Sequence, residues 1–147
     1  MYIMIKSLKE VTLTEKIYNE IINCYNIFTI IDKNTFTFIK FKSLIKRLPI
    51  NHNIYVYLIN EKIVGAITLM IEEKIIHSGG KVGHIEDFVI LEDYRKQGIG
   101  KQLLDYVKNL CIQNKCYKMI LDCDESLENY YIKKGLIKKG SYMTYYF

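Results

Sequence analysis

The chain has 147 residues, half of them apolar and a quarter charged, with a formal net charge of +5. That is globular composition at a length suited to one domain, and it excludes the depleted, highly charged make-up of disordered chains. The basic excess is too small and dispersed to nominate nucleic acid, no apolar run approaches the roughly 20 residues of a membrane helix, and Cys24, Cys111, Cys116 and Cys123 form no zinc or redox motif.

Met1-Tyr-Ile-Met-Ile-Lys6 is too short an apolar run for a signal peptide, so a soluble, cytoplasmic protein with reduced thiols is expected. Thr12-Leu-Thr-Glu15 has the form of a capping box, and Ile17, Ile21, Tyr25 and Phe28 follow at helical spacing. A second helix is predicted from about Thr37 to Leu48, with Phe38, Phe41, Leu44, Ile45 and Leu48 inward and Pro49 as its stop. Strands Ile54–Ile59 and Ile63–Ile71 flank the turn Asn60-Glu61-Lys62 as a hairpin, whose second arm is read as continuing to Ile76. After Gly79-Gly80, Gly83–Leu91 is the next strand. Helical period returns at Ile99, Leu103, Tyr106, Val107, Leu110 and Cys111. Lys118–Cys123 reads as a short buried strand, and a helix from Leu127 to Lys134 ends at a left-handed Gly135 cap. The aromatic tail Tyr142–Phe147 is read as a last strand. No linker or repeat divides residues 1–147. The order ααβββαβαβ predicts a single α/β (α+β) domain, a mixed and mostly antiparallel sheet flanked by helices.

Two local features ask for chemistry. Glu86 and Asp87 stand in the middle of a strand, which disfavours both residue types. A few residues later, Arg95-Lys-Gln-Gly-Ile-Gly100 joins a strand end to a helix start. Glycines there permit a tight turn and expose successive N–H groups, and the helix start adds partial positive charge. Such a loop suits a phosphate or pyrophosphate, with Arg95, Lys96 and Lys101 adding charge. The glycine pattern alone is weak, because many strand-to-helix turns carry two glycines and bind nothing. It matches neither Walker A nor the full dinucleotide-binding pattern.

In this setting Arg-x-x-Gly-x-Gly resembles the acetyl-coenzyme A loop of the GNAT acetyltransferase superfamily. Four further segments lie in register with it: Ile71-Glu-Glu-Lys-Ile-Ile-His77, Gly83-His-Ile-Glu-Asp87, Cys116-Tyr-Lys-Met-Ile-Leu-Asp-Cys123, and Tyr130-Tyr131 with Gly135. Together they are similar to the glucosamine 6-phosphate N-acetyltransferase branch, over roughly residues 12 to 147.

The resemblance implies the GNAT fold, with central strands splayed by a β-bulge, and acetyl-coenzyme A as co-substrate with no metal. The donor's pyrophosphate would lie on the loop Arg95, Lys96, Gln97, Gly98, Ile99, Gly100 and Lys101, and its pantetheine arm along Phe88, Val89 and Ile90. Glu86 would accept the amine's proton. Glu86, Asp87 and Asp122 would hold the amino sugar, and Tyr131 would hydrogen-bond the coenzyme sulfur and assist thiolate departure. Thr29 and the segment Lys74, Ile75, Ile76 and His77 would serve the acceptor's phosphate end. The acceptor implied is glucosamine 6-phosphate, on the route to UDP-N-acetylglucosamine, in a homodimer that shares its last strand. One departure stands out. Family members place an arginine three residues after the methionine of the last strand, where this chain has Tyr146 after Met143. A tyrosine donates one hydrogen bond but carries no charge, so phosphate binding would lean on Lys74, Lys81 or a partner subunit's lysine.

Blander readings stand beside these. Lys74 and His77 fit the exposed side of a hairpin, Asp122 a strand-end cap, and most of the 13 tyrosines packing. His84 has no assigned role. Rival functions are a GNAT enzyme acting on another small amine or a protein N-terminus, and a coenzyme-binding module without catalysis.

Overall fold

A computed structural model describes residues 2–147; Met1, part of the run weighed above as a leader, lies outside them. The elements are β1 (Ile3–Ser7), α1 (Glu15–Tyr25), α2 (Phe38–Arg47), β2 (His52–Ile59), β3 (Lys62–Glu73), a short α3 (Ile76–Gly79), β4 (Lys81–Ile90), α4 (Ile99–Gln113), β5 (Cys116–Ile120) and α5 (Glu125–Ile132). The strands lie in chain order, β1 to β4 antiparallel and β5 parallel to β4. Helix α4 makes the crossover that a parallel neighbour requires.

Period-two alternation sends the sheet's side chains into two cores. Val56, Ala66 and Val89 pack under α1 and α2 with Tyr18, Ile22, Phe41 and Ile45. Tyr57, Ile67, Leu69 and Ile85 pack under α4 with Leu103, Leu104 and Val107, and Tyr131 of α5 joins them. The mixed α/β architecture expected from the sequence is therefore present.

Local chemistry explains most boundaries. The Thr14 hydroxyl caps α1 by accepting from Ile17 N at 3.3 Å, so the cap is Thr14 and not Thr12. Thr37 caps α2 in the same way. The β2–β3 hairpin turns on Asn60 and Glu61, both left-handed, as a two-residue turn of matching twist demands. Gly135 has φ +87°, the expected left-handed cap.

Four expectations need correction. The first residues form a strand, β1, held by long-range pairing from Ile3–Ile59 to Ser7–Tyr55. Strand β3 stops at Glu73 because His77 and Ser78 both turn left-handed just beyond it. Strand β5 is Cys116–Ile120, ending before Asp122. The tail is no strand: residues 141–147 are exposed and pair with nothing among the described residues.

Candidate active site

Strands β4 and β5 pair at Val82–Lys118, Gly83–Met119 and His84–Ile120, and then separate. On the other side of β4, Ala66 faces Val89 while Thr68 faces Glu86. Asp87 and Phe88 therefore oppose the single residue Ile67, which is a β-bulge. Asp87 takes φ 48° there, a value few residues other than glycine and asparagine adopt. The expected splay is present, with the ladder zipped up to His84 and open beyond it. The bulge itself lies in the β3–β4 ladder, bending β4 away from its parallel neighbour.

Three carboxylates gather where the strands part. Glu86 is half-buried, and its carboxyl is held above the usual carboxylate range by that burial, then by the charges of Asp122 and Asp87; His84 pulls the other way. Asp122 lies on the unpaired run after β5, and both it and Asp87 are exposed. A carboxylate moved toward neutrality is poised to take a proton. Tyr131 reaches the same region from α5 with 9% of its surface exposed. Burial, followed by Tyr130, Cys123 and Asp122, pushes its phenol up to about 12, so it remains a proton donor at neutral pH.

At the other end of β4 lies the glycine loop. The backbone N–H groups of residues 96 to 101 donate to no acceptor among the described residues; the first helical bond of α4 runs from Gln102 N to Gly98 O. Gly98 has φ +82°, and a Cβ on Gly100 would sit 2.6 Å from the Tyr130 hydroxyl. The turn thus needs one glycine for conformation and the other for close approach. Side-chain charge is more committed than the sequence suggests. Arg95 Nε donates to Ile90 O at 3.1 Å, Gln97 to Asp93 O, and Lys101 pairs with Asp105 at 2.5 Å. Anion attraction therefore rests on the free amides and the α4 N-terminus, with exposed Lys96 beside them.

The predicted sugar segment lies elsewhere. Lys74 pairs with Glu72 at 2.5 Å, and Glu72 also takes a hydrogen bond from His84 at 2.7 Å. These two contacts hold the Glu72 carboxyl below the usual range. Ile75 and Ile76 are exposed, and the His77 ring rests against Tyr117 at 4.1 Å between centroids. Lys81, opposite Glu73, precedes Glu86 by five residues, roughly 17 Å of strand. Thr29 is exposed just past α1. Within one chain the structure brings together Glu86, Asp87, Asp122 and Tyr131, and leaves Lys74–His77 at the far end of the hairpin.

Two residues near the carboxylates escaped the sequence reading. Thr68 is a buried polar residue, 3% exposed, directly opposite Glu86. Tyr25 reads only as part of an apolar helix face, yet its buried hydroxyl lies near Thr68 and feels the charge of Asp87. Only strand register and helix docking reveal them.

The acetyltransferase (GNAT) family profile matches residues 15–133. The chain belongs to the GNAT acetyltransferase family. This GNAT chain is 38% identical over 86 residues to a probable glucosamine 6-phosphate N-acetyltransferase 2 of Oryza sativa subsp. japonica, covering 58% of this chain and 52% of the relative. It is 39% identical over 85 residues to glucosamine 6-phosphate N-acetyltransferase 1 of Dictyostelium discoideum, covering 58% and 54%. The matches thus span about half the length of these curated relatives. The crystal structure of glucosamine-6-phosphate N-acetyltransferase from Arabidopsis thaliana superposes with a TM-score of 0.88 at 26% identity, covering 100% of this chain and 99% of that one. The GNAT fold expected from the sequence is the fold observed.

Proposed function

We propose that this chain transfers the acetyl group of acetyl-coenzyme A to the amine of glucosamine 6-phosphate, giving N-acetylglucosamine 6-phosphate on the route to UDP-N-acetylglucosamine. The observation that carries the reading is the gap beyond His84–Ile120, ringed by Glu86, Asp87, Asp122 and Tyr131, with free amides at residues 96 to 101. The named relatives support the sugar phosphate as acceptor.

In this reading acetyl-coenzyme A supplies an activated thioester. Its pantetheine arm adds as a strand to the open edge of β4 at Phe88, Val89 and Ile90, and its pyrophosphate rests on the loop amides. Glu86 takes a proton from the acceptor's ammonium, directly or through water. Asp87 and Asp122 hold the amine in line. The nitrogen lone pair forms the C–N bond to the thioester carbonyl, whose π pair moves onto oxygen, and that pair returns as the C–S bond breaks. A backbone N–H at Phe88 or Val89 stabilises the oxyanion, a contact worth about 3 kcal/mol in such sites. Tyr131 gives its phenolic proton to the departing sulfur and regains one released by the new amide nitrogen through solvent. No acyl-enzyme is needed, so Cys123 is left out of the chemistry.

A homodimer belongs to the same proposal. Among the described residues strand β5 pairs only with β4, and the tail Tyr142–Phe147 lies exposed without a partner. Sharing that tail between two copies would bring the second copy's Lys74–His77 segment toward a phosphate that Thr29 and Tyr146 alone could not neutralise. A cytoplasmic location is also proposed, and the four free cysteines fit it.

The deciding experiment follows thiol release from acetyl-coenzyme A with glucosamine 6-phosphate, glucosamine and a peptide panel offered separately. Preference for the phosphorylated sugar is expected. Equal turnover of glucosamine would remove the phosphate from the reading, and turnover confined to a peptide amine would replace the acceptor.

A further inference from the structure

Among the described residues, one buried side-chain polar atom lacks a hydrogen-bond partner: the hydroxyl of Tyr25. Buried hydroxyls are nearly always paired, and a bare one destabilises the fold that contains it. Tyr25 is the last residue of α1, which packs across β3 and β4. Its ring leans on Phe28 at 6.2 Å between centroids. Thr68, the residue opposite Glu86, lies close enough to act on the phenol as a hydrogen-bonding group but outside hydrogen-bond geometry, and the charge of Asp87 on the bulge is felt there too. Burial holds the phenol well above its ordinary value, so the oxygen keeps its proton and can both donate and accept.

Phenylalanine would fill the same volume and leave no orphan, so packing gives no reason for the oxygen. Asp87 is exposed on the bulge, and its charge is felt at the buried Tyr25 hydroxyl. A carbohydrate hydroxyl donates and accepts at one atom and would satisfy the phenol in both senses. An alkylamine offers no such group beyond its ammonium.

We infer that the Tyr25 hydroxyl is a specificity-determining contact for the acceptor, hydrogen-bonding a hydroxyl of a polyhydroxylated amine seated on Asp87. This rests on the acceptor reading given above and narrows it to hydroxyl-bearing amines.

Tyr25→Phe removes a single oxygen and should melt at or above the wild-type temperature. The expected result is a KM for glucosamine 6-phosphate raised about tenfold, as loss of one hydrogen bond would give. Both kcat and the KM for acetyl-coenzyme A should stay within about twofold of wild type, since a ground-state contact common to the transition state affects KM alone. With 2-aminoethyl phosphate, which has no ring hydroxyls, wild type and variant should show the same KM. An unchanged KM for glucosamine 6-phosphate would overturn the inference and leave the hydroxyl a bare packing group. An equal rise for both amines would also overturn it, because the effect would then run through Asp87. If the wild type releases no thiol with any amine, acetyl transfer itself fails. The contact is then judged by thermal shift with glucosamine 6-phosphate: a shift lost in Tyr25→Phe sustains it, and no difference between the two proteins ends it.

Discussion

His84 pairs with Ile120, and no rung of the β4–β5 ladder follows. Two residues further along each segment stand Glu86 and Asp122, close enough for the Asp122 charge to raise the Glu86 carboxyl. A zipped sheet would have left no opening between them. The bulge at Asp87–Phe88 and the early end of β5 make the gap, and the chemistry proposed for this chain depends on it.

Glu86→Gln should reduce kcat/KM about a hundredfold, the low end of what a positioned base contributes, and should remove the acidic limb of the pH–rate profile. Stability moves the other way. The folded chain holds the Glu86 proton to higher pH than the unfolded chain, so stability falls as pH rises from the ordinary carboxylate range through the raised value. The variant should therefore melt higher than wild type at neutral pH. That difference should vanish below the ordinary carboxylate range, which thermal melts across pH will check.

Tyr131→Phe keeps the ring in its core and removes the donor. The turnover number should fall about a hundredfold while the Kd for acetyl-coenzyme A, read by calorimetry, stays within about twofold. An unchanged turnover number would take Tyr131 out of the mechanism.

Gly83 matters for packing. A Cβ there would run into Cys111 Sγ and sit 3.3 Å from Leu69 Cδ1. Gly83→Ala should cost about 1–3 kcal/mol in denaturant unfolding, the range for overpacking a dense core. Adding Cys111→Ala should recover much of that loss, since the two changes share one contact and are not additive.

Removing residues 142–147 deletes an exposed tail that contributes nothing to either core. If the shared-strand proposal holds, light scattering should report a dimer for the full chain and a monomer for the shortened one, with sugar-phosphate turnover lost and the shortened chain still folded by circular dichroism. A full-length monomer that turns over glucosamine 6-phosphate would end the shared-strand proposal.

Sequence patterns were most legible where the signal was local. Helix α2 was readable from Thr37, Pro49 and its apolar spacing, and the β2–β3 hairpin from two β-branched runs about a short turn. The Gly98 position was readable because its left-handed backbone conformation restricts residue choice there. Strand β1 was missed because Ile3–Ser7 has no turn bracket and becomes a strand only by pairing with residues more than forty positions away. The tail failed for the converse reason: its aromatics carry strand propensity, but a strand needs a partner, and one chain supplies none. Lys74 reads as a cation for the acceptor's phosphate, and Glu72 pairs with it in the single chain.

The sequence alone therefore determined the periods, the caps, the glycine turn and the placing of two carboxylates in mid-strand, since each depends on a residue and its near neighbours. Tertiary structure decided which carboxylates share a field, where β4 and β5 part, and that the Tyr25 hydroxyl ends buried near Thr68. Those outcomes depend on register and helix docking, where one step of slippage would turn every side chain of a strand to the opposite face.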